Sequence, residues 1–301
     1  KVLKIIVKKN VVDGVLYLDN KNNKKFLKTS LIILACSALG TPRLLLNSSN
    51  KDFPNGLANS SGLVGKNLML HPYGYVEGIV DEKINSQIGP KGCCIFSHQF
   101  YKTNIKNNFK RGYTIHLLRE NGPLTTSRNL LKFRELKFGK KFHDIFMNTF
   151  GHLIPIAIIC EDLPQKTNFL ELDKNKKDLD GMPGIKINYK LNKNSKKMLS
   201  HGITKCKILL KTIGAKKIKS FGPVRETGWH ISGTAKMGTS KKNSVVNKFG
   251  QSHDIKNLVI TDSSIFPTCS GVNILSTIVA LSLRISDDIK KNPNKYFNHS
   301  K

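Results

Sequence analysis

Two stretches of this sequence carry side chains able to do chemistry. The first is Trp229-His230-Ile231-Ser232-Gly233-Thr234-Ala235-Lys236-Met237-Gly238, where a histidine stands just ahead of a Gly-Thr pair and a closing glycine. Glycines so placed let backbone pass close to another group, and a histidine, with an ordinary pKa of about 6.5, holds or releases a proton near neutrality. Two readings stand level there: a titratable group beside a close-packed turn, and a core histidine next to that turn. The second stretch runs from Asp262 through Pro267 and Gly271 to Asn273. A carboxylate ending an apolar strand, then a punctuated loop and a helix, makes a ligand crevice beneath a helix N-terminus. The unpaired N–H groups and positive dipole at that terminus suit a group that becomes anionic. Asp262 has a plainer alternative, capping its own loop.

The elements that must position these residues alternate between two characters. Alternating β-branched residues over 2–7 and 11–18 predict a hairpin or meander turning at Val12-Asp13-Gly14. The apolar run 31–35 predicts a strand buried on both faces of a parallel sheet. After Gly40, Thr41 is read as the cap of a helix with Pro42 at its first position. Residues 51–69, rich in Asn, Ser and Gly, predict a long surface loop of the kind that carries function. Strands are expected over 73–80, 94–101, 113–118, 153–160, 169–172 and 185–189, making a mostly antiparallel sheet, with a basic helical stretch over 130–146. Asn194 and Ser195 introduce a helix whose Leu199, Ile203, Cys206, Leu210 and Ile213 step by four and three before Gly214. Past Trp229 the character returns to α/β. A short strand over 258–262 precedes a helix with Ile274, Ile278, Leu281, Ile285 and Ile289 on one face.

Composition narrows the class. The chain has 301 residues, 39% apolar and 23% charged, a globular balance with enough chain for a sizeable core. A net charge of +30 raises nucleic acid or an anionic surface as partner. Only seven of its 50 basic residues are Arg, however, and Arg is what base and phosphate recognition favours. Nucleic acid is therefore not expected as a partner. The basic stretch 132–141 reads as a solvated face, with docking of an acidic electron-transfer partner as the alternative. Six Cys without a C-x-x-C pair, and no His at ligand spacing, argue against a metal centre and a disulfide frame. No apolar run reaches the roughly 18 residues that span a bilayer, so the chain reads as soluble with no transmembrane segment. It opens on Lys1 with no leader, which leaves targeting and compartment unreadable.

Residues 230–238, Ser244-Val245-Val246 and residues 257–289 resemble the C-terminal part of the glucose-methanol-choline (GMC) family of flavin-dependent oxidoreductases. The family pattern there is His, a short gap, Gly-Thr, a basic residue and Met-Gly. It continues with Ser-Val-Val, a strand with D-x-S-x-F-P-T, and G-x-N opening a helix. Residues 34–47 and 60–72 resemble the family's second flavin-domain segment and the loop after it. Glu161-Asp162-Leu163-Pro164, Gly181-Met182-Pro183 and Gly214-Ala215 are similar to the sugar-acid dehydrogenase and pyranose-oxidising branch. The match is collinear over nearly the whole chain. Three positions depart from it: Ser37 where many members have Gly, Lys236 for a common Arg, and Ile274 after Asn273 where Pro is frequent.

The resemblance implies an α/β plus β-rich fold. It would be the C-terminal portion of an FAD-binding Rossmann-like domain carrying an inserted, mostly antiparallel substrate-binding sheet and helices. The family's opening G-x-G-x-x-G unit, which holds the ADP half of FAD, has no counterpart in these residues, so the chain is expected to be N-terminally truncated. Residues 1–72 would be the remaining flavin domain, 73–225 the substrate-binding domain, and 226–301 the return to the flavin domain. FAD is the implied cofactor, with no metal. A small-molecule alcohol or sugar is the implied substrate, and an electron-acceptor protein or quinone a further partner. His230 would take the hydroxyl proton while hydride passes to flavin N5, and Asn273 would donate to the substrate oxygen. Asp262, Ser263, Asn273, Ile274 and Leu275 would contact FAD, with Val2 at its adenine end. An inactive remnant of such an enzyme is the alternative reading, and a basic nucleic-acid or anionic-surface binding protein is the rival from another class.

Overall fold

The computed structural model describes residues 1–89, 92–134, 137–224 and 229–297. In chain order the strands and α-helices are β1 (Val2–Lys8), β2 (Val11–Leu18), β3 (Lys24–Lys28), β4 (Ile32–Leu34), α1 (Ser37–Asn47), β5 (Tyr73–Ile79), β6 (Cys93–Ser97), β7 (Tyr113–Leu118), α2 (Pro123–Arg134), α3 (Lys140–Met147), β8 (Leu153–Cys160), β9 (Phe169–Lys177), β10 (Pro183–Asn188), α4 (Lys193–Thr212), β11 (Lys216–Phe221), β12 (Leu258–Ile260), α5 (Leu275–Lys291) and α6 (Pro293–Tyr296). This is the α/β plus β-rich mixture expected. No described helix is long and apolar enough to cross a membrane. The boundary expected at 225–226, and residues 135–136 of the basic stretch, lie outside the described residues.

Two compact units emerge. Unit 1 comprises Lys1–Leu70, Asp162–Lys190 and Trp229–Lys301, and unit 2 comprises His71–Glu161 and Leu191–Gly228. Residues 162–190, inside the span read as one substrate-binding domain, group with unit 1 because the β9–β10 hairpin bonds there. Leu170 N–H donates to Gly65 O at 2.8 Å and Leu68 N–H to Asn168 O at 2.9 Å.

In unit 1, β1, β2 and β3 form an antiparallel meander. The first turn falls at Lys9-Asn10, both at positive φ, and not at Val12-Asp13-Gly14. A two-residue hairpin loop of type I′ needs two left-handed residues in succession. Gly14 instead lies inside β2, close against the Leu27 carbonyl and the Phe26 ring of β3. β4 and β12 pair in parallel through Ile32↔Leu258, Ile33↔Val259 and Leu34↔Ile260. Burial of β4 on both faces is not observed: Ile32 and Leu34 are buried, but Ile33 is half exposed, since among the described residues no layer covers that face. Leu45 of α1, Ile5 of β1, Val259 of β12 and Ile285 of α5 meet in one core, with Ile278, Leu281 and Ile289 packed against it, as the helical spacing of α5 predicts.

Unit 2 is built on a five-stranded antiparallel sheet in the order β11-β5-β8-β7-β6. The pleat sends alternate side chains to opposite faces. Val76, Tyr113, Ile156, Ile158 and Cys160 pack against Met198, Leu199, Cys206 and Leu210 of α4, while Tyr73, Ala157 and Ile159 cluster separately. The α4 cap is Asn192, whose side chain accepts from Ser195 N–H at 2.8 Å, rather than Asn194 or Ser195. Asn194 is occupied elsewhere, donating to Lys110 O at 2.9 Å. The basic stretch over 130–146 is divided between α2 and α3, with Gly139 standing before the second.

Candidate active site

The His230 loop is seated on the Asp262 loop by a ladder of backbone bonds. Gly233 N–H donates to Ser263 O at 3.1 Å, Ala235 N–H to Ser264 O at 2.8 Å and Met237 N–H to Ile265 O at 2.7 Å. Ser263 Oγ donates to Ile231 O at 2.7 Å. A third segment closes the arrangement: Met69 and Ser232 exchange both backbone bonds at 3.0 Å, and Gly65 N–H donates to Thr234 O at 2.7 Å. Gly233 shows why this position takes no side chain. Its φ is +90°, and a Cβ there would collide with the Asn67 carbonyl. The long loop expected over 51–69 thus supplies one wall of the cluster.

A proline in α1 ties that helix to the same cluster. The helix begins at Ser37 and not after Gly40, so Pro42 lies inside it and offers no N–H to the Ala38 carbonyl one turn back. Thr234 Oγ1 takes that place, donating to Ala38 O at 2.7 Å. Thr41 therefore does not cap the helix. Its hydroxyl accepts from Cys36 N–H at 3.3 Å and donates to Asp262 Oδ2. The other carboxylate oxygen, Oδ1, accepts from Ser264 N–H at 2.8 Å, so the plainer role of capping its own loop is also filled. Ser37, where the family pattern carries Gly, has φ +67°, a left-handed conformation.

His230 is partly buried, and that burial holds its imidazole pKa below the ordinary histidine value. Its φ of +59° is uncommon for a residue with a side chain. Asn273 is exposed and Ile274 buried just ahead of α5. No side chain caps that helix, which leaves its first N–H groups open to a ligand. Leu275 is 68% exposed. His230, Asp262 and Ser263 are thus joined by the ladder, and Asn273, Ile274 and Leu275 follow along the same chain segment. Val2 stands apart at the start of β1, paired with Tyr17 and sharing none of these bonds. Among the described residues no cluster of three His, Cys, Asp or Glu side chains is placed to hold a metal.

Several polar atoms of unit 1 are buried without a partner: Ser61 Oγ, Asn67 Nδ2, Ser232 Oγ, Ser264 Oγ and Thr268 Oγ1. An unsatisfied buried donor costs about 1–3 kcal/mol, so a concentration of them marks groups that fit a polar ligand. Sequence reading missed Thr234, Asn67, Ser232 and Ser264 as members of the cluster. One signal was available, since a proline inside a helix frees a carbonyl that some donor must satisfy.

A parallel strand pair, a glycine-bearing loop clamped on the segment that follows it and an uncapped helix further along that segment are the features that α/β proteins use to hold a cofactor. Models of the GMC oxidoreductases match residues 1–73 for the N-terminal part and 164–282 for the C-terminal part. The chain belongs to this family, whose cofactor is FAD. It is similar to 2-methyl-1,2-propanediol dehydrogenase of Mycolicibacterium austroafricanum, 32% identical over 97% of this chain and 53% of that protein. It is also similar to the fructose dehydrogenase large subunit of Gluconobacter japonicus, 28% identical over 93% of this chain and 51% of that one. The chain thus spans about half the length of the curated relatives it matches. Formate oxidase of Aspergillus oryzae shares the fold, with a TM-score of 0.68 over 98% of this chain and 60% of that one at 15% identity.

Proposed function

We propose that this chain serves the FAD-dependent oxidation of an alcohol or sugar hydroxyl, with His230 as the base. The observation that supports it most is the ladder seating the His230 loop on the Asp262 loop. With its pKa held down by burial, the imidazole is unprotonated at neutral pH, and its basic ring nitrogen accepts the hydroxyl proton. The left-handed backbone at His230 restricts where the ring points, a form of preorganisation. Asn273 donates its side-chain amide to the substrate oxygen as negative charge develops there.

Ser264, Thr268 and the uncapped first turn of α5, at Ile274 and Leu275, fit an anionic, hydrogen-bonding cofactor. Asp262 and Ser263 hold that loop in shape, and Val2 is carried as a contact to the adenine end on the family resemblance alone. When bound, FAD supplies the acceptor for the hydride that leaves the carbon bearing the hydroxyl. The names of the relatives, a propanediol dehydrogenase and a fructose dehydrogenase, favour small alcohols and sugars as substrates; an acceptor protein or quinone as the electron sink is carried on the family resemblance alone.

The test is turnover of a panel of alcohols and sugars by FAD-loaded protein with an artificial electron acceptor. His230→Ala should keep its flavin absorbance and lose roughly 10²- to 10⁴-fold in kcat, the range general-base catalysis supplies. A flavin-loaded variant with undiminished kcat would remove His230 from the role.

A further inference from the structure

Asparagine is followed by glycine at two places in this chain, Asn55-Gly56 and Asn121-Gly122, and the fold treats them oppositely. In unit 1, Gly56 is buried, its N–H donates to Phe53 O at 3.1 Å, and a Cβ there would lie 2.9 Å from Leu46 Cα. In unit 2, Asn121 and Gly122 are both exposed, and a Cβ at Gly122 would meet no atom within 4 Å. Among the described residues no acceptor takes the Gly122 N–H. We propose that Asn121 is a site of spontaneous deamidation in the folded protein, converting to aspartate and isoaspartate through an imide formed with Gly122, while Asn55 is protected.

The chemistry needs only water. Gly122 N gives its proton to solvent base and attacks Asn121 Cγ; the new C–N bond closes a succinimide ring, and the side-chain amide nitrogen leaves as ammonia. Water then opens the ring at either carbonyl by breaking one C–N bond, so that amide and water become carboxylate and ammonium. The attacking nitrogen must be unshielded and free to turn. Glycine supplies both conditions, having no Cβ beside the nitrogen and few conformations closed to it. An N–H held by a carbonyl, as at Gly56, must first give up that bond.

The surroundings of Asn121 favour the products. Gly122 O accepts from Thr126 N–H at 3.0 Å, so α2 begins there with Pro123 as its first residue. Either product sets a carboxylate just ahead of the helix, where the dipole stabilises negative charge. In isoaspartate the former Asn121 carbonyl becomes that carboxylate, and it is the oxygen to which Thr126 Oγ1 donates at 3.2 Å. Asn121 also lines a cavity of about 450 Å³ in unit 2 together with Glu77 and Lys219, so the change adds a negative charge to that wall.

Incubation of the full chain at pH 8, followed by trypsin and mass spectrometry, tests this with an internal control. Cleavage after Arg119 and Arg128 isolates peptide 120–128, and cleavage after Lys51 and Lys66 isolates peptide 52–66. In the folded protein Asn121 should convert about tenfold faster than Asn55, the scale of one hydrogen bond that need not be broken. In urea, where both N–H groups are free, the two rates should converge. Gly122→Ala, which has open space for its methyl group, should slow conversion roughly tenfold with no loss of Tm, by shielding the nitrogen. Conversion at Asn55 as fast as at Asn121 in the folded chain, the same rate ratio in urea as in the fold, or an undiminished rate in Gly122→Ala would each overturn the proposal. The measurement requires neither flavin nor turnover, so its outcome is independent of the proposed function.

Discussion

The two units solve different packing problems. Unit 1 gathers distant stretches of chain by backbone hydrogen bonds between loops: Gly65 to Thr234, Met69 to Ser232, Gly233 to Ser263. Unit 2 gathers its strands into one pleated sheet and covers a face with α4. In the first, the identity of single residues matters because backbone approaches backbone. In the second, the alternation of side chains matters and individual residues are exchangeable within it. Buried polar atoms without a hydrogen-bond partner occur in both, at Ser232 Oγ, Ser264 Oγ and Thr268 Oγ1 in unit 1 and at Gln87 Oε1 and Glu120 Oε1 in unit 2, while unit 2 also keeps a cavity whose polar side chains are drawn from strand and helix faces.

Substituting a glycine in each unit breaks the comparison most directly. Gly233→Ala, at φ +90° and against the Asn67 carbonyl, should destabilise by roughly 2–4 kcal/mol, as strain and steric conflict act together. Gly202→Ala in α4 would set a Cβ 2.8 Å from Ile158 Cγ2. There overpacking is partly offset by the better helix propensity of Ala, so a loss of about 0–2 kcal/mol is expected from urea unfolding. Equal losses would show that close backbone approach is no more demanding than side-chain packing.

Stability against pH should separate the units next. Burial pushes the Glu120 carboxyl from its ordinary 4.5 up to about 7. A carboxyl whose folded pKa is raised contributes stability that is full below its unfolded pKa and is lost as pH climbs through the folded one. Wild type should therefore lose stability in unit 2 between pH 4.5 and about 7 through this group. Glu120→Gln, which stays neutral, should gain roughly 3 °C in Tm on wild type at pH 8 compared with pH 5.

A double-mutant cycle sharpens the account of unit 1. Thr234→Val should cost about 1–2 kcal/mol in the native background, because Ala38 O loses its donor. With Pro42→Ala present the helix supplies its own N–H to that carbonyl, and the cost of Thr234→Val should shrink by about 1 kcal/mol. The smallest effect belongs to Ser37→Gly. Relief of the left-handed conformation at φ +67°, less the added freedom of the unfolded chain, should leave a gain of about 0.5 kcal/mol in thermal unfolding.

Legibility follows the same division. The helical face Leu199, Cys206, Leu210 and the strands over 113–118 and 153–160 can be read because burial imposes a period on many residues at once. β11 escapes, since Lys216 to Phe221 is largely polar and has no apolar alternation to betray it. Composition puts the first hairpin turn at Asp13-Gly14 rather than at Lys9-Asn10, and strand pairing decides for the latter. The start of α1 is misread for a related reason, because a Thr-Pro pair is an ordinary helix opening. Only contact with Thr234 and Asp262 lets that pair sit inside the helix.

The sequence by itself determined the family, through the His230-to-Gly238 and Asp262-to-Asn273 motifs, and with it the mixture of α/β and antiparallel β. Motifs of that kind are legible because close backbone approach and special φ values restrict residue type position by position. Tertiary structure decided which loops clamp His230, which donor completes the carbonyl freed by Pro42, and that Glu77 and Lys219 face one cavity. Those facts depend on pairings between residues far apart in the chain, and a hydrogen bond of that range leaves no period in the sequence to be read.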